Sequence, residues 1–429
     1  MKIHVVRPGD STWALSRTYG VSQNSIIEVN GLEAQSHLVI GQALVIPSTG
    51  TTHVLRAGES LWTLSKRYGV SVDSIIELNK FTNEQVINPG QVIRIPDRSK
   101  NYGVIESNGF IQPSTPEKET VVLKESAEYL TYLSPFSHHV NADGSLTELE
   151  DETIVNIGKA NKNALMLSIT NLNESNFDTV VIDNILKSNQ LQQTLINNIL
   201  IAIREKGYYG VIIDFERITP INRELYNNFL RKTVDALHKE NKVVATALAP
   251  KTFDIQSGSW HGAHDYRAHG EIVDFVIIMT YEWGWSGGPP MAVAPLNEVR
   301  KVINYAVSVI PRKKIMMGIP LYGYDWTLPY IPKGEFAEGI GCLEAVVRAA
   351  NVNAIIKYDM QSQSPFYNYF GKDRAQHVVW FEDARSIMAK FKLVSEYGLR
   401  GVSYWSLGQP FPQNWYLLDD MFRITKLVK

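Results

Sequence analysis

A single cysteine, Cys342, in 429 residues leaves no internal disulfide framework, so the fold must be held by core burial. With no evident histidine partner, Cys342 reads as a small buried apolar residue and not as a nucleophile. An excess of charge of one sign is also lacking. Lys and Arg number 42 against 44 Asp and Glu, a formal charge of −2, which offers no basic field for nucleic acid. No apolar run of about 18 residues is present to span a membrane. The opening MKIHVVRPGD has neither an apolar core of about 7 to 15 residues nor a small-residue cleavage site, so no secretory signal peptide is expected. His138-His139 and His261 with His264 lack a convincing ligand set, and no Gly-rich phosphate loop occurs. Neither metal nor cofactor is expected.

What is present is an ordinary globular balance, 44% apolar and 20% charged residues, with 20 Tyr and 9 Trp. That is more aromatic surface than a core requires, and aromatic-lined clefts suit sugar rings. Shifting residues 4–48 by 49 positions lays His4 on His53, Gly9 on Gly58, Trp13 on Trp62, Asn30 on Asn79 and Pro47 on Pro96 without a gap, with 21 of the 45 pairs identical. A duplicated small module follows. In each copy a short strand leads to a turn at Gly9-Asp10 or Gly58-Glu59, two short helices and a closing strand before the proline, giving β-α-α-β. The helical spacing around Trp13 and Trp62 places both rings in the module cores.

The motifs V-x-R-x-G-[DE]-S-x-W, Y-G-V-S, I-x-x-x-N and G-Q-x-x-x-I-P recur in both copies and resemble the LysM module, which binds glycans containing N-acetylglucosamine. The resemblance implies a sugar groove between two loops. These are 9–12 with 39–42 in the first copy (Gly9, Asp10, Ser11, Thr12, Ile40, Gly41) and 58–61 with 88–91 in the second (Gly58, Glu59, Ser60, Leu61, Pro89, Gly90). Modules are expected over 1–48 and 51–97, and a short polar link over 98–101 should keep them near the rest of the chain.

Residues 102–429 alternate apolar strand-like runs with helical stretches. Eight strands are expected at 104–111, 129–136, 164–170, 210–216, 243–250, 275–281, 315–321 and 401–405. The helix before the fourth carries Leu191, Leu195, Ile196, Ile199, Leu200 and Ile203 on one face and Gly207 as its stop. Eight βα units predict an α/β fold, a TIM (β/α)8 barrel. About 80 residues separate the last two strands where roughly 20 would serve, which predicts a small α+β insertion forming a wall beside the site.

In the fourth run, Gly210-Val-Ile-Ile-Asp214-Phe-Glu216, two carboxylates two residues apart share one face at the end of a strand that is apolar on both faces. The carboxyl ends of other strands add Tyr281 and Glu282, Tyr322 and Tyr324, and Trp405. Paired acids among aromatic platforms point to glycoside hydrolysis. Tyr209 to Glu216 further resembles the D-G-x-D-x-D-x-E signature of glycoside hydrolase family 18, Met279-Thr-Tyr-Glu282 its sixth-strand motif, and 401–405 its final tryptophan segment.

This resemblance implies substrate-assisted cleavage of β-1,4 bonds next to N-acetylglucosamine. Glu216 would be the acid and later the base, Asp214 would orient the acetamide that attacks the anomeric carbon, Tyr281 would hydrogen-bond that acetamide, and Trp405 would floor the subsite. Tyr209 and Ile212 stand where the signature has its first two aspartates. Retention of Glu216 argues against the noncatalytic lectins of the same fold. Tandem LysM copies before a family 18 barrel resemble the spore cortex-lytic N-acetylglucosaminidases of spore-forming bacilli. A monomer is expected, and the resemblance implies a protein made in the mother cell, deposited in the coat or cortex region and acting on peptidoglycan at germination. A chitinase and a noncatalytic spore-surface glycan binder are the alternatives.

Overall fold

The computed structural model describes residues 1–35, 37–47, 50–81, 87–95, 102–173, 176–372 and 374–428. The expected link at 98–101 lies outside the described residues.

Eight parallel strands close into a barrel: Val104–Ile111, Tyr132–Pro135, Ala164–Thr170, Gly210–Asp214, Val243–Leu248, Phe275–Ile278, Ile315–Pro320 and Gly401–Leu407. They pair in chain order, and the eighth pairs with the first. Alternate residues of the fourth strand go to different cores. Val211 and Ile213 join the layer between sheet and helices, while Ile212 joins Phe110, Met166, Ala245, Ile277 and Met316 inside the barrel. The helix Asn189–Lys206 buries Leu195, Ile196, Ile199 and Ile203 as expected. Gly207 ends it at φ 75°, with its N–H on the Ile203 carbonyl.

The sequence-based strands overran at several carboxyl ends. The fourth stops at Asp214 and the sixth at Ile278, because beyond the last paired residue the chain turns into the loops that carry the site. The insertion after the seventh strand is a five-stranded antiparallel sheet, Tyr322–Leu328, Glu338–Gly341, Lys357–Asp359, Ser364–Phe370 and Gln376–Trp380, with the helix Cys342–Asn351. Its core of Ile340, Ala345, Tyr367, Val379 and Phe381 is separate from the barrel core.

Each small module is β-α-α-β. The first runs Lys2–Val5, Thr12–Tyr19, Gln23–Asn30 and Ala43–Ile46; the second runs Thr51–Val54, Leu61–Tyr68, Val72–Asn79 and Val92–Ile95. Their strands pair antiparallel. Duplicated polar networks brace the turns: Asp10 accepts from Arg7 N and pairs with His4, and Glu59 accepts from Arg56 N and pairs with His53.

The expectation that Trp13 and Trp62 are core residues fails, since each is 62% exposed. The short helix Thr12–Tyr19 buries Leu15, and a residue two positions away on a helix points to the far side. There Trp13 lies under Arg17 and Trp62 under Lys66, with charge-to-ring distances of 5.8 and 5.7 Å.

Candidate active site

At the carboxyl end of the barrel a cavity of about 390 Å³ is lined by Asp214, Glu216, Tyr281, Glu282, Tyr324 and Trp405, among others. Asp214 ends the fourth strand and Glu216 follows it. The alternation persists past the last strand pairing, because Phe215 between them turns outward onto Tyr226 and Phe229. Both acids therefore face the cavity, only 5% and 6% exposed. One oxygen of each, Asp214 Oδ1 and Glu216 Oε2, has no hydrogen-bond partner.

Burial pushes the Asp214 carboxyl upward. The Glu216 carboxyl is pushed well above the usual range, first by burial and then by the Asp214 charge, with Arg217 opposing. Apolar Ile212 lies one inward position below Asp214, fully buried inside the barrel, so that position offers no carboxylate to share a proton with Asp214.

Asn171 holds the backbone of Glu216 in place. It directly follows the third strand, is buried, and accepts from Glu216 N while donating to Glu216 O, each at 2.9 Å. His264 braces the next residue back. One ring nitrogen accepts from Ala249 N and the other donates to the Phe215 carbonyl, so both nitrogens are occupied. Among the described residues no group of three or more His, Cys, Asp or Glu is placed to hold a metal ion.

The Tyr281 hydroxyl is held far above its usual pKa by burial and by the charges of Asp214, Glu216 and Glu282. It therefore stays a hydrogen-bond donor. Tyr322 does not line the cavity. Its hydroxyl donates to Glu282, and Tyr324 donates to the same oxygen at 3.0 Å, so the tyrosine pair sets the position of Glu282. Trp405 packs edge-on against Phe136 and Phe110, with centroids at 4.6 and 5.8 Å, and forms part of the apolar floor.

The sequence reading missed several members of the site. Gln112, Phe177 and Trp260 also line the cavity. A second cavity of about 460 Å³ shares Pro250, Trp260, Tyr281 and Glu282 with the first and extends to Arg217 and Trp285. Trp260 and Trp285 are half exposed, and Arg217 lies 5.6 Å over the Trp260 ring. The signal available was a tryptophan in each of two Gly-rich loops, 258–262 and 284–288, that follow the fifth and sixth strands.

The residues assigned to the module grooves fall into three groups. Asp10, Glu59, Ser11 and Ser60 serve local structure. The first two brace turns, and the hydroxyls cap helices through Ala14 N and Thr63 N. Thr12 accepts from Gln23, and Leu61 packs on its module core. Gly9, Gly58, Pro89 and Gly90 are exposed, whereas Ile40 and Gly41 touch the catalytic domain.

Residues 111–409 match glycosyl hydrolases family 18, and residues 4–47 and 53–96 each match the LysM domain. The chain belongs to glycosyl hydrolase family 18. It is similar to a cortical fragment-lytic enzyme of Bacillus subtilis (strain 168), 50% identical over 429 residues, covering 99% of both chains. Two crystal structures of spore cortex-lytic enzymes SleL resemble it along the whole length. That from Bacillus megaterium QM B1551 is 41% identical with a TM-score of 0.85, covering 99% of both chains. That from Bacillus cereus is 40% identical with a TM-score of 0.85, covering 100% of this chain and 99% of the other. A family 18 hydrolase with two LysM modules is thus a glycan-binding glycosidase. No helix among the described residues is long and apolar enough to cross a membrane.

Proposed function

We propose that this protein is a spore cortex N-acetylglucosaminidase, cleaving the β-1,4 bond on the reducing side of N-acetylglucosamine in peptidoglycan during germination. The observation that carries the reading is the buried pair Asp214 and Glu216 facing one aromatic cavity, in a chain similar over its full length to a cortical fragment-lytic enzyme. Glu216, kept protonated by burial and by Asp214, delivers its proton to the glycosidic oxygen as the bond to the anomeric carbon breaks. The acetamide oxygen of the substrate forms the new bond to that carbon, giving an oxazolinium intermediate. Asp214 accepts a hydrogen bond from the acetamide N–H and stabilises the positive charge that develops there, and Tyr281 donates to the acetamide oxygen before attack and orients it. Glu216, now a carboxylate, then removes a proton from the water that opens the ring. Two inversions give net retention.

Trp405 floors the sugar at the cleavage point, and Trp260 and Trp285 extend the cleft for a polymer. Glu282, aligned by Tyr322 and Tyr324, accepts from sugar hydroxyls. We assign modules to 1–48 and 51–97 and the hydrolase to 102–429. The protein acts as a monomer, produced in the mother cell and deposited at the spore coat and cortex. Turnover of purified cortex fragments against chitin oligomers tests the substrate: preference for cortex is expected, and preference for chitin would make the protein a chitinase.

A further inference from the structure

The two modules share one fold but not one environment, and each serves as the control for the other. In the first, the loop 39–42 lies on the catalytic domain. The Ile40 carbonyl accepts from Ile356 N at 3.0 Å, and the Gly41 carbonyl accepts from Arg385 Nη2 at 3.2 Å. A Cβ on Gly41 would stand 1.8 Å from the Ile356 carbonyl oxygen, whereas one on the equivalent Gly90 meets nothing within 4 Å. The closing strands diverge in the same way. Ala43 and Val45 are buried in the main core with the barrel helices, while their counterparts Val92 and Arg94 face outward. Gln413 of the barrel's last helix donates to Asn30 Oδ1 and to the Ala43 carbonyl, at 2.7 and 2.9 Å.

The sequence encodes the difference. Gly31 and Lys80 hold the same left-handed position after the second helix, at φ 62° and 54°. At Gly31 a Cβ would lie 3.1 Å from Leu343 and 3.3 Å from Pro412, so the docked module has a glycine where the undocked one carries a lysine. Val39, packed in the core of the insertion, is Asn88 in the second module, and Asn88 is exposed.

We infer that the modules divide their roles: the second carries the glycan-recruiting site, in the groove between 58–61 and 88–91, and the first is an adaptor whose groove loop is occupied by the catalytic domain. The Ile40 and Gly41 carbonyls of loop 39–42 are already bonded to the catalytic domain, so a sugar bound there would exchange one hydrogen bond for another with little net gain. Because the first module is docked, the second is joined in sequence to the catalytic body at both of its ends, which raises the effective concentration of glycan near the cleft. This inference rests on the reading of the modules as glycan binders.

The test uses the full chain carrying Glu216→Gln to stop turnover, with a soluble N-acetylglucosamine hexamer as probe and hydrogen–deuterium exchange read by peptide. Ligand should slow exchange several-fold in 58–61 and 88–91 and leave 9–12 and 39–42 unchanged. Adding Gly31→Lys, or Leu343→Arg on the opposite face, should speed exchange of 39–42 without ligand and let ligand protect the first module too. Protection of both modules in the parent chain would overturn the division of roles while keeping the glycan reading. Absence of protection in either module would overturn both. Gly31→Lys and Leu343→Arg both leaving 39–42 exchange unchanged would show that the docking does not hold the loop.

Discussion

Asn171 offers the sharpest separation of positioning from chemistry. Its amide satisfies both backbone groups of Glu216 without lining the cavity. In Asn171→Ala the Glu216 N–H and C=O are left buried and unpaired, at about 1–3 kcal/mol each. A loss of at least about 2 kcal/mol lowers Tm by roughly 3 °C or more in a domain of this size. The acid is also released from its fixed place. If about 1.4–2.7 kcal/mol of the barrier reduction depends on that placement, kcat falls about 10- to 100-fold. KM should hold, since Trp405, Trp260 and Glu282 are untouched. Asn171→Asp keeps the acceptor for Glu216 N–H but sets an oxygen against the Glu216 carbonyl and a negative charge near the acid. It should therefore lose at least as much rate and move the alkaline limb of the pH–rate profile upward. Initial rates on cortex fragments across pH, with thermal unfolding of each variant, make the measurement. Wild-type kcat in Asn171→Ala with a lowered Tm would refute the positioning argument.

Both active-site carboxyls have folded pKa values raised by burial, so the folded state binds more protons than the unfolded chain between the unfolded and folded values, and their contribution to stability falls as pH rises through that window. Glu216→Gln should therefore gain in Tm relative to wild type on going from about pH 4 toward neutrality; a gap that stays constant with pH would count against the raised acid. Trp260→Ala, at a half-exposed rim, should raise KM several-fold with little change in Tm, whereas Trp405→Ala should lower both binding and stability because its ring packs on Phe136 and Phe110. Deleting residues 1–97 should reduce sedimentation with cortex sacculi and also lower the barrel's Tm, because Ala43 and Val45 leave the shared core; an unchanged Tm would show that the docked module is dispensable to the fold.

The fold and the acid pair were legible in the sequence because period-2 alternation and the run of eight apolar segments reflect which faces are buried. Asp214 and Glu216 kept one face even where the strand ended early, since the large apolar Phe215 had an outward pocket to fill. Trp13 and Trp62 were misplaced because a helix of eight residues gives too few turns for periodicity to say which aromatic face is inward. The docking of the first module was written in Gly31, Ala43 and Val45, but a difference between repeats does not reveal its partner until both surfaces are in view. Asn171 carried no local signal, because its role depends on Glu216, 45 positions away.

The central claim is tested most directly by the products of purified cortex fragments. Mass spectrometry after reduction should find new reducing ends on N-acetylglucosamine, with wild-type protein active and Glu216→Gln inactive. New reducing ends on muramic acid, or full turnover by Glu216→Gln, would contradict the account.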